Sequence, residues 1–183
     1  MTVEETYLKG CFVITPKVLQ DERGFFLESF NKLKFENETG VYTTFVQDNL
    51  SKSSKGVLRG LHFQKGKYAQ AKLVSVIRGK VLDVCVDLRK ESPTFGKHFS
   101  IVLDNLNKKQ LYIPKGFAHG FLVLQDDTFF SYKCDNYYHK ESEGGIIYND
   151  KDLDIDWSFS ENRLIVSEKD KQLFSFKKHK YEN

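Results

Sequence analysis

The sequence has 183 residues and a formal net charge of +3 spread along the chain. It therefore has neither the clustered Lys and Arg of a nucleic-acid groove nor an apolar run long enough to cross a bilayer. Phe (16) and Tyr (9) are frequent, which favours strands and large core contacts, and one domain over residues 1–183 is expected. Cys11, Cys85 and Cys134 make an odd count with no close pair, against a disulfide framework or a zinc ribbon; the last two lie in apolar strand patterns and read as buried thiols. The opening MTVEETYLKG carries acids and no apolar run, so a signal peptide is not expected and a cytoplasmic location is the simplest reading.

In chain order, CFVIT (11–15) reads as a strand ended by Pro16, and Asp21 to Gly24 as a turn. FFLESF (25–30) alternates as a strand, Asn31 can cap a helix to about Thr39, and Gly40 can end it. Thr43 to Asn49 reads as a strand and Ser51 to Lys55 as a polar loop. Gly56 to Lys80 reads as strands that hold Arg59, His62 and Lys72 among residues suited to burial. Unpaired buried charge is costly, so these three either face solvent or line a polar cavity. Lys72 shares parity with Val74 and Val76, an odd place for a surface lysine. Strict alternation puts Arg59 and His62 on opposite faces; one cavity can hold both only if the strand is irregular, and Gly60 permits that.

Lys80 to Leu88 has the alternation of a half-buried strand, with Leu82, Val84 and Val86 against Asp83, Cys85 and Asp87. Lys90 to Gly96 is a turn region, Phe99 to Asp104 a strand, Asn105 to Lys108 a hairpin loop and Gln110 to Ile113 its return strand. Pro114 to Gly120 reads as a tight loop. Strands follow over Phe121 to Leu124 and Thr128 to Cys134, then a loop with a short strand at Ile146 to Tyr148. Ser167 with Asp170 three residues on resembles a helix-capping signal. Roughly ten short strands with little helix argue a β-sandwich or barrel, and spacing alone does not choose between a jelly roll and an immunoglobulin-like sandwich.

The segment PKGFAHG (114–120) has the P-x-G-x-x-H form of the second cupin motif, and cupins are jelly-roll barrels. Many bind a metal through an H-x-H element, but here His62 is followed by Phe63 and Gln64; two histidines without a third ligand make a poor site, so no metal is expected.

Several motifs in order resemble the dTDP-4-dehydrorhamnose 3,5-epimerase family: DERGFFLE (21–28), QDN (47–49), GVLRGLHFQ (56–64), Lys72, IPKGFAHGF (113–121), YKCDNYY (132–138), then Glu143, IDW (155–157) and SEKD (167–170). The similarity runs from about residue 8 to 173. It implies an all-β, cupin-like jelly roll with short flanking helices, acting without a cofactor on a dTDP-linked 4-keto-6-deoxyhexose. His62 would be the base, oriented by Asp170; Lys72 would stabilise the enolate oxygen, and Tyr132 would be the acid on the opposite face. Arg23, Phe26, Glu28, Gln47, Asn49, Arg59, His119, Tyr138, Glu143 and Lys169 would bind the nucleotide or the hexose, with Tyr138 stacked on thymine. A homodimer is implied, in which the FFLESF strand could cross over and bring Arg23 and Glu28 to the second subunit's site. Read without the resemblance, His62 favours a hydrogen-bonded core histidine and Tyr132 a packed core aromatic, while Arg23, Glu28, Glu143 and Lys169 also suit surface ion pairs. An epimerase of one carbon only, a non-catalytic sugar-nucleotide binder and a metal-dependent cupin oxygenase are the competing functions.

Overall fold

A computed structural model describes residues 1–182, the last three by their backbone alone. The strands are β1 (Thr2–Glu5), β2 (Phe12–Thr15), β3 (Val18–Asp21), β4 (Gly24–Leu27), β5 (Gln47–Ser53), β6 (Val57–Gln64), β7 (Lys72–Arg78), β8 (Lys80–Asp87), β9 (His98–Asp104), β10 (Gln110–Ile113), β11 (Phe117–Val123), β12 (Thr128–Cys134), β13 (Glu143–Gly145) and β14 (Ile165–Val166). Helix α1 spans Lys32–Thr39, α2 Glu168–Lys171 and α3 Phe176–Glu182. One sheet runs β1-β2-β10-β7-β12-β5; the second runs β13-β6-β11-β8-β9, with β14 parallel to β6. The two sheets face each other as a cupin-like jelly roll.

Side-chain parity builds the layers. In the first sheet Val13, Val74, Val76, Leu111, Ile113 and Phe130 point into the barrel and meet Val81, Cys85, Phe117, Phe121 and Val123 of the second. The alternate residues Phe12, Ile14, Leu73 and Tyr112 point out and are covered by Phe35 of α1. The outward set of the second sheet, including Leu58, Leu61, Val84, Val86 and Leu122, is covered by Ile146, Leu153, Trp157 and Phe176 of the C-terminal region. Both sheets are thus sandwiched, which explains why β8 is buried on both faces and not half-buried as its alternation predicts.

Local signals held where they were local. Helix α1 begins at Asn31, whose side chain accepts the Lys34 N–H, and ends at Gly40 in the left-handed conformation (φ 69°). Ser167 caps α2 by accepting the Asp170 N–H. Elsewhere the structure corrects the sequence. The strand expected at Thr43 to Asn49 starts only at Gln47 and continues through the supposed polar loop to Ser53, because an edge strand beside β12 tolerates polar residues on its solvent side. The strand expected over Phe25 to Phe30 stops at Leu27. β10 is not the hairpin partner of β9: it is buried on both faces and lies between β2 and β7 in the other sheet. Only residues 114–116 of the supposed tight loop are loop, since Phe117 to Gly120 are buried strand. The short strand near Ile146 falls instead at β13, paired with β6.

The irregularity expected in β6 is present. Its pairing with β11 shifts register between His119 and Phe121, opposite Gly60. Gly60 has φ 136°, and a Cβ there would lie 2.5 Å from Cα of Gly120, so neither conformation nor space admits another residue. The shift turns Arg59 and His62 toward the same side of the strand, and both line one cavity.

Candidate active site

That cavity, about 460 Å³, lies between the sheets at the end covered by β14 and α2. The second sheet contributes Arg59 and His62 from β6 and His119 from β11; the first contributes Lys72 from β7 and Tyr132 from β12. Asp170 and Lys169 enter from α2. An adjoining hollow shares His62, Lys72 and Tyr132 and adds Gln47, Asn49, Tyr138 and Glu143.

His62 Nε2 donates to Asp170 Oδ1 at 2.8 Å, leaving Nδ1 as the ring's basic atom. The imidazole is 30% exposed and the carboxylate 6%, so the ring reaches the cavity while its partner is held behind it. Asp170 Oδ2 accepts the Gly60 N–H at 3.2 Å, and its own N–H goes to Ser167 Oγ. The break in β6 therefore does two jobs: it turns His62 inward and frees a backbone donor for Asp170. Burial would raise the Asp170 pKa, but the His62 hydrogen bond and charge, with the Gly60 and Ser167 donors, hold it below the ordinary value. It is a carboxylate at neutral pH.

Across the cavity, burial raises the Tyr132 phenol above its usual value, Cys134 adds to this and Arg59 opposes it. The phenol keeps its proton at neutral pH. Lys72 Nζ lies 5.9 Å from the Tyr132 ring centre. Burial lowers the Lys72 pKa, opposed by Cys134, Asp83 and Glu143.

Arg59 Nε and Nη2 donate to Ser53 Oγ at 3.4 and 3.2 Å. Gln47 donates to Asn49 and accepts the Tyr138 N–H. Glu143 joins the rim by accepting Lys169 Nζ at 2.7 Å and the Tyr138 hydroxyl at 2.9 Å. Arg23, Phe26 and Glu28 are not brought to this cavity within the chain. They sit on or beside the β3–β4 hairpin, where Arg23 pairs with Asp21, Glu28 with Lys34, and Phe26 is 65% exposed. Sequence reasoning missed Asp83, whose Oδ2 accepts His119 Nε2 at 2.9 Å, and Ser51 in the cavity wall. Asp83 alternates with apolar residues and so reads as solvent-facing; the apolar character of the strands around β8 was the signal that both its faces are covered. Among the described residues no group of three His, Cys, Asp or Glu side chains is placed to hold a metal ion. The two cavity histidines each give Nε2 to a carboxylate.

Proton transfer beside a carbonyl needs an acceptor on one side of the substrate and a donor on the other, and a jelly roll with these groups on facing sheets falls in the class of cupin-like isomerases. A profile of the dTDP-4-dehydrorhamnose 3,5-epimerase family matches residues 5–178. The dTDP-4-dehydrorhamnose 3,5-epimerase of Escherichia coli K12 is 53% identical over 175 residues, 96% of this chain and 94% of that one. The crystal structure of the Elizabethkingia anophelis dTDP-4-dehydrorhamnose 3,5-epimerase superposes with a TM-score of 0.95 at 57% identity, covering 99% of both chains. A Legionella pneumophila dTDP-6-deoxy-D-glucose-3,5-epimerase, solved in complex with dTDP-4-keto-L-rhamnose, gives 0.91 at 49% identity over 95% and 92% of the two chains. The chain belongs to the dTDP-4-dehydrorhamnose 3,5-epimerase family.

Proposed function

We propose that the chain inverts C3 and C5 of dTDP-4-dehydro-6-deoxy-D-glucose, giving dTDP-4-dehydro-L-rhamnose for dTDP-rhamnose synthesis. A C–H bond beside the C4 ketone is a weak acid. Each inversion removes a proton from one face and returns one to the other. The observation that carries this reading is that His62 and Tyr132 open from opposing sheets into one hollow, with Lys72 beside the phenol.

His62 Nδ1 takes the proton, and Asp170 stabilises the imidazolium that forms. The Lys72 ammonium meets the negative charge that grows on the C4 oxygen, in a site where burial strengthens the interaction. Tyr132 delivers the proton to the opposite face. Arg59 engages the diphosphate, where a guanidinium can bind two oxygens at once. His119, Gln47, Asn49, Glu143 and Lys169 hold the sugar and nucleoside, and Tyr138 stacks on the thymine. The test is proton NMR of the substrate in deuterated buffer. Deuterium at both C3 and C5 with inversion is expected. Label at one carbon replaces this reading with a single-carbon epimerase, and binding of dTDP without any label replaces it with a sugar-nucleotide-binding jelly roll.

The β3–β4 hairpin is a two-stranded ribbon with Leu19, Phe25 and Phe26 each more than half exposed, and such ribbons are marginal alone. We propose that it docks on a second copy of the chain and carries Arg23, Phe26 and Glu28 to that copy's site. Sedimentation should find a dimer, and Phe25→Ser with Phe26→Ser should give monomers that bind dTDP at least about tenfold more weakly. A fully active wild-type monomer would sink the idea. The three unpaired cysteines support a reducing, cytoplasmic setting.

A further inference from the structure

Asp83 lies in β8 opposite Phe121, with no exposed surface. A buried carboxylate is costly unless each oxygen is satisfied. Here Oδ2 accepts the Nε2–H of His119 at 2.9 Å, but Oδ1 is buried without a hydrogen-bond partner. An aliphatic residue there would remove the unpaired Oδ1 but leave the buried Nε2–H of His119 without an acceptor, so the carboxyl group is kept for the histidine. The pair belongs to the cavity, because the His119 ring is in its wall.

We infer that Asp83 is a positioning residue of the reaction: it fixes His119 through Nε2, so that the imidazole meets the sugar as a hydrogen-bond acceptor, and its negative charge balances the Lys72 ammonium. The inference rests on the function proposed above. Burial pushes the His119 pKa below the ordinary value; Asp83 opposes this, while Lys72 and His62 add to it. A neutral ring that donates through Nε2 retains a lone pair on Nδ1, and among the described residues nothing else pairs with that atom. His119 then accepts from a hexose hydroxyl and has no proton to offer the ketone, which leaves Lys72 as the donor for the C4 oxygen. The groups facing Lys72 are Asp83 from β8, Cys134 and Tyr132 from β12, His119 from β11, Glu143 from β13 and His62 from β6. Asp83 is the carboxylate that comes from the barrel interior; Glu143 is engaged by Lys169 at the rim.

Asp83→Asn keeps the shape and an acceptor for Nε2–H but removes the charge. In a variant that melts near the wild-type temperature, kcat/KM should fall about tenfold or more. The alkaline limb of its pH profile should move down by about one pH unit, as the Lys72 ammonium loses a neighbouring anion. Affinity for dTDP should stay within about twofold, since the nucleotide does not reach Asp83 in this assignment. A folded variant with the wild-type rate and an unmoved alkaline limb overturns the inference. Should the variant not fold, nitrogen-15 NMR of His119 in the wild-type protein decides. A neutral ring protonated at Nε2 near neutral pH is expected, and protonation at Nδ1 overturns the assignment. The ring measurement needs no turnover, so a wild-type protein that exchanges no protons would defeat the proposed function and leave this result to be read separately.

Discussion

Replacing His62 with Asn should abolish deuterium uptake at both C3 and C5, lowering turnover by about 10²–10⁴-fold, the range general acid–base groups supply. Asn is smaller and its amide ends near the place of Nδ1, short of the Nε2 position that reaches Asp170, and it cannot accept a proton at neutral pH. The imidazole is part-exposed and lies outside the apolar clusters, so the loss is chemical and not structural. Affinity for dTDP should change little, because the diphosphate and base are held by other residues in the proposed arrangement. Exchange followed by NMR, with calorimetry of dTDP binding, tests both halves. Retained exchange at either carbon would mean that another group removes that proton, and the role of the His62–Asp170 pair would have to be withdrawn.

Tyr132→Phe should separate proton removal from inversion. The base remains, so the enolate still forms. With no phenol to protonate the carbon from the opposite face, and Lys72 engaged with the C4 oxygen, the carbanion takes its proton back from His62, and the part-exposed imidazole can exchange that proton with solvent between the two events. The substrate should therefore gain deuterium while keeping its configuration. Inversion should fall by about 10²–10⁴-fold and wash-in by much less. Phe retains the ring that packs beside Phe130, so stability should be nearly unchanged. Equal losses of inversion and wash-in would show that the phenol does something other than deliver the second proton.

The parts legible in the sequence were those written by neighbouring residues. Asn31 and Gly40 mark both ends of α1 because a cap needs only its own turn. The motif order from Asp21 to Asp170 pointed to the cavity, and the parity of Arg59 and His62 in β6 called for an irregularity that Gly60 permits. What stayed hidden depended on partners distant in sequence. β10 looked like a return strand because its sheet neighbours, β2 and β7, are far from it along the chain. Asp83 looked solvent-facing because the layer that buries it comes from other strands. Whether the β3–β4 hairpin serves its own cavity or another copy's is not a property of local sequence at all.

Asp170 comes from a segment translated more than a hundred residues after His62, and only the strip β14–α2 lying along β6 brings the two together. His62 and the strands around it are therefore synthesised well before the carboxylate that pairs with it. A nascent or clipped polypeptide ending ahead of Ile165 would retain strands β1 to β13 yet lack Asp170, so in the proposed mechanism its imidazole would have nothing to steady its cation, and competence would arrive only with the closing strip.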